Sequence, residues 1–203
     1  MKLLIATNNA HKAREIREIL GDSFTELLTM REAGVELEVE EDGTTFQENA
    51  LKKAQETLAF VQDRFDAVLA DDSGLCVDAL NGAPGVYSAR FSGEAHNDAA
   101  NNARLISLLK DVPDEKRTAR FCCCVALARK NLEPIVVLGE VNGTILHESR
   151  GENGFGYDPY FFYAPLNKSF AELTAVEKNS VSHRKRALLK LKEALNVAHC
   201  DRI

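Results

Sequence analysis

Four short segments carry side chains whose types and spacing could do chemistry. Thr7-Asn8-Asn9-Ala10-His11-Lys12 lies where an apolar run over residues 2–6 gives way to a helical pattern. A polar turn at that junction presents backbone N–H groups and the positive end of a helix dipole, a seat for phosphate, and Lys12 would add a full charge. The same residues also suit an ordinary helix cap. The segment is not a Walker A loop, because G-x-x-x-x-G-K-[ST] is absent. Glu40-Glu41-Asp42-Gly43 is an acidic run ahead of Thr44 and Thr45, either of which can cap a helix, with Glu48 completing a capping box with Thr45. Asp71-Asp72-Ser73-Gly74 follows the apolar Ala67–Ala70, and adjacent carboxylates repel unless positive charge lies between them. Strand ends are where α/β folds keep their sites, although Asp-Ser-Gly is also good turn chemistry. In Gly154-Phe155-Gly156-Tyr157-Asp158-Pro159, two glycines let backbone approach a flat ligand on which Phe155 could stack. Lys178 and Ser182-His183-Arg184 add donors able to read a ring oxygen or a phosphate.

Carboxylates without a His or Cys cluster are hard oxygen ligands, which indicates Mg²⁺, with Mn²⁺ as a substitute, rather than zinc. Such carboxylates with lysines suit phosphoryl transfer, where positioning and charge neutralisation supply most of the catalysis.

The elements expected to position these residues alternate between strand and helix. Residues 2–6 read as a strand, and Ala10 to Leu20 places Ala13, Ile16, Ile19 and Leu20 on one helical face. Phe46 to Val61 is a second helix and carries Lys52 and Lys53. Ala67–Ala70 is a short strand running into the Asp-Asp turn, and Leu75 to Ser92 is a shaped loop. Asp98 to Leu109 is a third helix, followed by two β-like runs, Thr118–Arg129 and Pro134–His147, with Asn131 near the turn. A Gly-rich loop, Gly151 to Pro159, leads to the apolar Tyr160–Tyr163, and a basic helix from about Val181 to Val197 ends the pattern. The fold class is α/β, an elongated mixed sheet flanked by helices, in a single domain over residues 1–203.

Composition narrows the partners. With 45% hydrophobic and 28% charged residues, the 203-residue chain reads as an ordinary globular protein. The longest apolar stretch, Phe121 to Ala128, is far below a membrane span. The start of the chain turns polar too soon for a signal peptide, so a cytoplasmic location is expected. A net charge of −6 argues against a nucleic-acid polymer but leaves a small anionic substrate open, since local lysines and a metal can reverse the sign. Five cysteines include the consecutive Cys122-Cys123-Cys124, which in a strand alternate between faces and read as small buried hydrophobes.

In this order, the segments resemble the inosine triphosphate pyrophosphatase family. The likeness rests on Thr7–Lys12, Glu40-Glu41 with Lys53, Ala70-Asp71-Asp72-Ser73-Gly74-Leu75, Gly82-Ala83-Pro84-Gly85-Val86-Tyr87-Ser88-Ala89-Arg90, Gly154–Pro159 and Ser182-His183-Arg184, spanning residues 2 to 195. The resemblance implies two lobes with a nucleotide cleft between them, a homodimer, and hydrolysis of ITP, dITP and XTP to monophosphate and pyrophosphate. It implies Asp72 as general base and metal ligand, Glu41 as the other metal carboxylate, and Asp71 close by. Thr7, Asn9, Lys12, Lys53 and Ser73 would hold the triphosphate, with Lys12 and Lys53 neutralising charge. Asn8, Ala10 and His11 belong to the same turn. Phe155, Gly156, Tyr157, Asp158, Lys178, His183 and Arg184 would surround base and sugar.

Rival readings are weaker. Arg14-Glu15-Ile16-Arg17-Glu18 looks like part of a Nudix box, but the Gly and Glu that box needs upstream have no room. A non-catalytic nucleotide sensor would not need Asp72 and Glu41 with two lysines.

Overall fold

The computed structural model describes residues 1–94 and 97–200. Its strands are β1 (Lys2–Ile5), β2 (Glu26–Thr29), β3 (Ala67–Val77), β4 (Thr118–Arg129), β5 (Leu132–Ile145), β6 (Phe161–Tyr163) and β7 (Lys168–Ser169). They form one sheet in the order β2-β1-β3-β4-β5-β6-β7. β1 runs parallel to both β2 and β3, while β6 runs antiparallel to β5 and β7, so the sheet is mixed. The helices are α1 (Ala10–Leu20), α2 (Phe46–Val61), α3 (Asp98–Leu108), α4 (Ala175–Val181) and α5 (His183–Cys200). The expected mixed sheet flanked by helices is what forms.

The chain divides into two compact units. Unit 1 comprises Met1–Asp72, Cys123–Gly139 and the chain from Arg184; unit 2 comprises Ser73–Cys122 and Glu140–His183. In unit 1 the period-2 alternation of each strand sorts the core into two layers. Leu4, Val68, Ala70, Cys124, Ala126 and Ala128 pack with Ala50, Ala54 and Val61 of α2. Leu3, Ile5, Ala67, Leu69, Cys123, Val125 and Leu127 pack instead with Ile16 and Leu20 of α1 and Ala187, Leu188 and Leu191 of α5. Unit 2 closes its own core around Phe121, Phe161 and Phe170, whose rings lie 4.6–5.7 Å apart.

Several boundaries differ from the sequence reading. β3 does not stop at Ala70 but continues through the Asp-Asp-Ser-Gly segment to Val77. The acidic pair is tolerated inside a buried strand because Lys12 and Arg184 meet Asp71 and the Asn49 amide meets Asp72, an arrangement that local sequence does not disclose. β2 and β7 were not expected; four- and two-residue strands leave almost no periodic signal. α4 was also missed, although Thr174 and Glu177 give it a capping box. Ser182 then adopts an extended backbone (ψ 150°), so the basic helix begins at His183 rather than at Val181.

Cys122, Cys123 and Cys124 are all buried and alternate between the two sides of β4 as expected. Burial raises the Cys123 thiol above its ordinary value and pushes Cys124 up to about 11. Because the thiolate is the reactive form, neither should react with iodoacetamide in the native protein at pH 8. Mass spectrometry of peptides labelled before and after denaturation checks this, and native labelling of Cys123 would contradict the packing described.

Candidate active site

The sequence-predicted residues fall into two groups, one in each unit. In unit 1 the turn after β1 is a capping structure. Thr7 Oγ1 accepts from the Asn9 N–H at 3.1 Å, and Asn9 Oδ1 accepts from the N–H groups of His11 and Lys12 at 3.0 and 3.2 Å. Asn9 therefore satisfies first-turn donors that a phosphate could have used. Asn8, Asn9, Ala10 and His11 are exposed, while the Lys12 side chain turns inward.

Strand parity decides what the two aspartates do. Asp71 shares the side of β3 that carries Ala67 and Leu69, which faces α1 and α5. There Lys12 Nζ sits 3.0 Å and Arg184 Nε 3.2 Å from its Oδ2. Arg184 also bonds Glu15 Oε2 at 2.7 Å, and its side chain is 2% exposed. Burial would raise the Asp71 carboxyl, but Lys12, Arg184 and Lys53 outweigh it and hold the carboxyl well below the usual carboxylate range.

Asp72 has the opposite parity, that of Val68 and Ala70, and faces α2. Its Oδ2 accepts from Asn49 Nδ2 at 3.0 Å. Burial pushes its carboxyl up to about 6; the Asn49 hydrogen bond opposes that and the Glu41 charge adds to it. Glu41 is ion-paired with Lys53 of α2. The repulsion expected between Asp71 and Asp72 is thus eased by sending them to opposite faces, where Asp71 pairs with Lys12 and Arg184 and Asp72 accepts from Asn49.

Unit 2 holds the second group. Asp158 is buried and accepts from the Phe155 N–H at 2.8 Å and from Lys178, whose Nζ also lies 4.5 Å from the centroid of the Phe155 ring. Gly154 has φ +80°, and a Cβ there would come within 2.2 Å of Asp158 Oδ2, so this loop requires glycine. The Gly156 N–H donates to Asp98 and its carbonyl accepts from Asn102 Nδ2, both from α3. Tyr157 turns into the core and donates to the Ser88 carbonyl at 2.8 Å. Ser88 in turn accepts from the Leu75 N–H at 2.9 Å, which ties the Gly82–Arg90 segment to the strand after Ser73. His183 is buried, its ring stacked 5.0 Å from that of Phe121.

Two participants escaped the sequence reading. Glu15 stands out in the sequence only as part of a rejected Nudix box, and Asn49 ends the acidic and capping segment without a role of its own. A signal existed for Asn49, since it sits four residues before Lys53 and so shares its helical face.

Among the described residues no group of three or more His, Cys, Asp or Glu side chains could hold a metal. What unit 1 offers is two hard carboxylates, Glu41 and Asp72, close enough that the first raises the proton affinity of the second. That donor set fits a small hard cation such as Mg²⁺, which takes one or two carboxylates and leaves its remaining positions to water and phosphate oxygens.

A buried aspartate raised towards neutrality beside a second carboxylate and lysines is a combination suited to handling phosphate. The sequence pattern of the Ham1 family matches residues 3–194, and the chain belongs to that family. It is 50% identical over 197 residues to the dITP/XTP pyrophosphatase of Clostridium perfringens, covering 96% of this chain and 97% of the relative. With the dITP/XTP pyrophosphatase of Geobacter sulfurreducens it shares 52% over 195 residues, 96% of each chain. The structure of the Staphylococcus aureus Ham1 protein superposes with a TM-score of 0.87 at 38% identity, covering 98% of this chain and all of that one.

Proposed function

We propose that this chain is a nucleoside-triphosphate pyrophosphatase that hydrolyses non-standard purine nucleoside triphosphates, ITP, dITP and XTP, to the monophosphate and pyrophosphate. The observation that carries the chemistry is the buried Asp72 carboxyl, raised to about 6 and fixed by Asn49 on the face that carries Glu41 and Lys53. A carboxylate so tuned accepts a proton near neutral pH far better than a solvated one. In this reading Asp72 orients a water and takes its proton as the water attacks the α-phosphorus in line. Lys12 and Lys53 neutralise charge that grows on the phosphate oxygens. Mg²⁺ held by Glu41 and Asp72 would supply further charge neutralisation when bound.

Thr7, Asn9 and Ser73 are proposed to hold phosphate oxygens, with Asn8, Ala10 and His11 shaping that turn. Phe155 offers a ring on which a purine can stack, and Gly156, Asp158 and Lys178 frame it, with Tyr157 holding the loop from the core side. A 6-oxo group accepts from donors in the His183–Arg184 segment, whereas a 6-amino group would leave such donors unpaired, which penalises ATP. Arg184 already binds Asp71 and Glu15, so any contact it makes with base must be shared with those carboxylates. The family resemblance further supports a homodimer in the cytoplasm, which sedimentation of the purified protein and fractionation of cells test. Among the described residues no helix is long and apolar enough to cross a membrane.

The test is pyrophosphate release from ITP, XTP, GTP and ATP with Mg²⁺, with Mn²⁺ and with EDTA. Metal-dependent release from ITP and XTP, at least about 10²-fold faster than from ATP, is expected from the unpaired-donor penalty. Tight ITP binding without release would make the protein a nucleotide sensor instead.

A further inference from the structure

Asn49 lies in the first turn of α2 with 1% of its surface exposed, yet it belongs neither to the helix cap, which Thr45 and Glu48 form, nor to the hydrophobic layer. Its amide spans two parts of unit 1. Oδ1 accepts from the Gly43 N–H at 2.8 Å, and Nδ2 donates to Asp72 Oδ2 at 3.0 Å. The orientation of this amide is dictated by its partners. A backbone N–H can only donate, so the oxygen must face Gly43, and the NH₂ group is left for the carboxylate.

Gly43 is shaped to this contact. A Cβ there would lie 2.6 Å from Asn49 Oδ1 and 2.8 Å from Glu48 Cβ, so only glycine lets the acidic loop come this close. Glu41 stands two residues before Gly43 and reaches Lys53, four residues after Asn49 and so on the same side of α2. One stretch of helix therefore fixes both carboxylates, the strand aspartate directly and the loop glutamate through Lys53 and the nearby Gly43 backbone. The Thr45–Glu48 capping box holds the start of that helix in register.

We infer that Asn49 is a positioning residue, holding the Asp72 carboxylate and the Glu41 loop in one fixed relation for attack on the triphosphate. This rests on the reading of Asp72 as the base. By committing Oδ2 as an acceptor, Asn49 sets the plane of the carboxylate and hence the direction in which its other oxygen points. An isosteric Asn49→Asp change keeps an acceptor for Gly43 but removes the donor to Asp72, and Asn49→Leu removes both links at similar volume.

The experiment measures ITP hydrolysis, Mn²⁺ binding by electron paramagnetic resonance without nucleotide, and thermal unfolding. Asn49→Leu and Asn49→Asp are compared with Asp72→Asn and wild type. Both Asn49 variants should lose roughly 10- to 100-fold in kcat, the usual scale for a residue supporting a metal-site ligand, with the KM for ITP changed less than about threefold. Mn²⁺ binding should weaken in Asn49→Leu, which has lost both links, by a larger factor than in Asn49→Asp. Turnover within about twofold of wild type in folded Asn49 variants, with Asp72→Asn inactive, would overturn the inference and leave the base assignment standing. Near-normal turnover by Asp72→Asn would overturn the base assignment itself. A loss of kcat in Asn49→Leu that merely follows its folded fraction, with Asn49→Asp normal, would make Asn49 a packing residue and also overturn the inference.

Discussion

Replacing Asp72 with Asn should abolish ITP hydrolysis while making the metal-free protein more stable at neutral pH. The loss in turnover should reach about 10³-fold or more, at the upper range for a general base at a metal site, the role proposed for Asp72. The gain in stability follows from the direction of the shift. The Asp72 carboxyl is raised from 3.8 to about 6 in the folded protein, mainly by burial. Between those values the native state holds a proton that the unfolded chain has released, so stability falls as pH rises through this window. That difference corresponds to about 3 kcal/mol of stability removed by the ionised carboxylate at pH 7. Asparagine keeps the shape without the charge. In EDTA, the unfolding midpoint of Asp72→Asn should therefore exceed that of wild type at pH 7.5, and the difference should shrink towards pH 4. Equal midpoints across that range would mean that Asp72 is far better solvated than its 6% exposure indicates.

Arg184→Met should have the opposite signature, with a large loss of stability at neutral pH. The guanidinium is the partner of two buried carboxylates, Asp71 and Glu15, and methionine fills much of its volume without its charge. Lys12 remains on Asp71, but Glu15 is left inside α1 without the ion pair that Arg184 provided. Removing one member of a buried charged network typically costs about 3–5 kcal/mol, because the surviving charge stays desolvated. For a domain of this size that is a fall of roughly 10 °C or more in unfolding temperature. The pH dependence is again set by sign. Asp71 titrates lower in the folded state than its ordinary 3.8, so its stabilising contribution is full above that value and is lost as pH falls below it. The deficit of Arg184→Met should thus be widest near neutrality and narrow below about pH 4, where the unfolded chain begins to take up protons. Melting curves at pH 7 and pH 3.5 check this. A variant that melts within a degree or two of wild type at pH 7 would show that Arg184 is not part of a stabilising network.

Much of this protein was determined by its sequence alone. Helical periodicity located α1 and α2 to the residue, because their apolar stripes pack on the sheet and each begins at a polar cap. Alternation along β4 foretold that three consecutive cysteines would part to opposite faces. The motifs, in their order along the chain, led to the family. The tertiary structure decided what each side chain in those segments does. Asp71 and Asp72 are adjacent in the chain and chemically identical, and what separates them is that one looks toward α1 and α5 and the other toward α2. The first keeps its charge because Lys12 and Arg184, 59 and 113 residues away, reach it; the second is buried beside Asn49 and within the field of Glu41. Desolvation and charge fall off over a few ångströms of space rather than of sequence, so only the folded chain can tell an ion-paired carboxylate from one raised by burial.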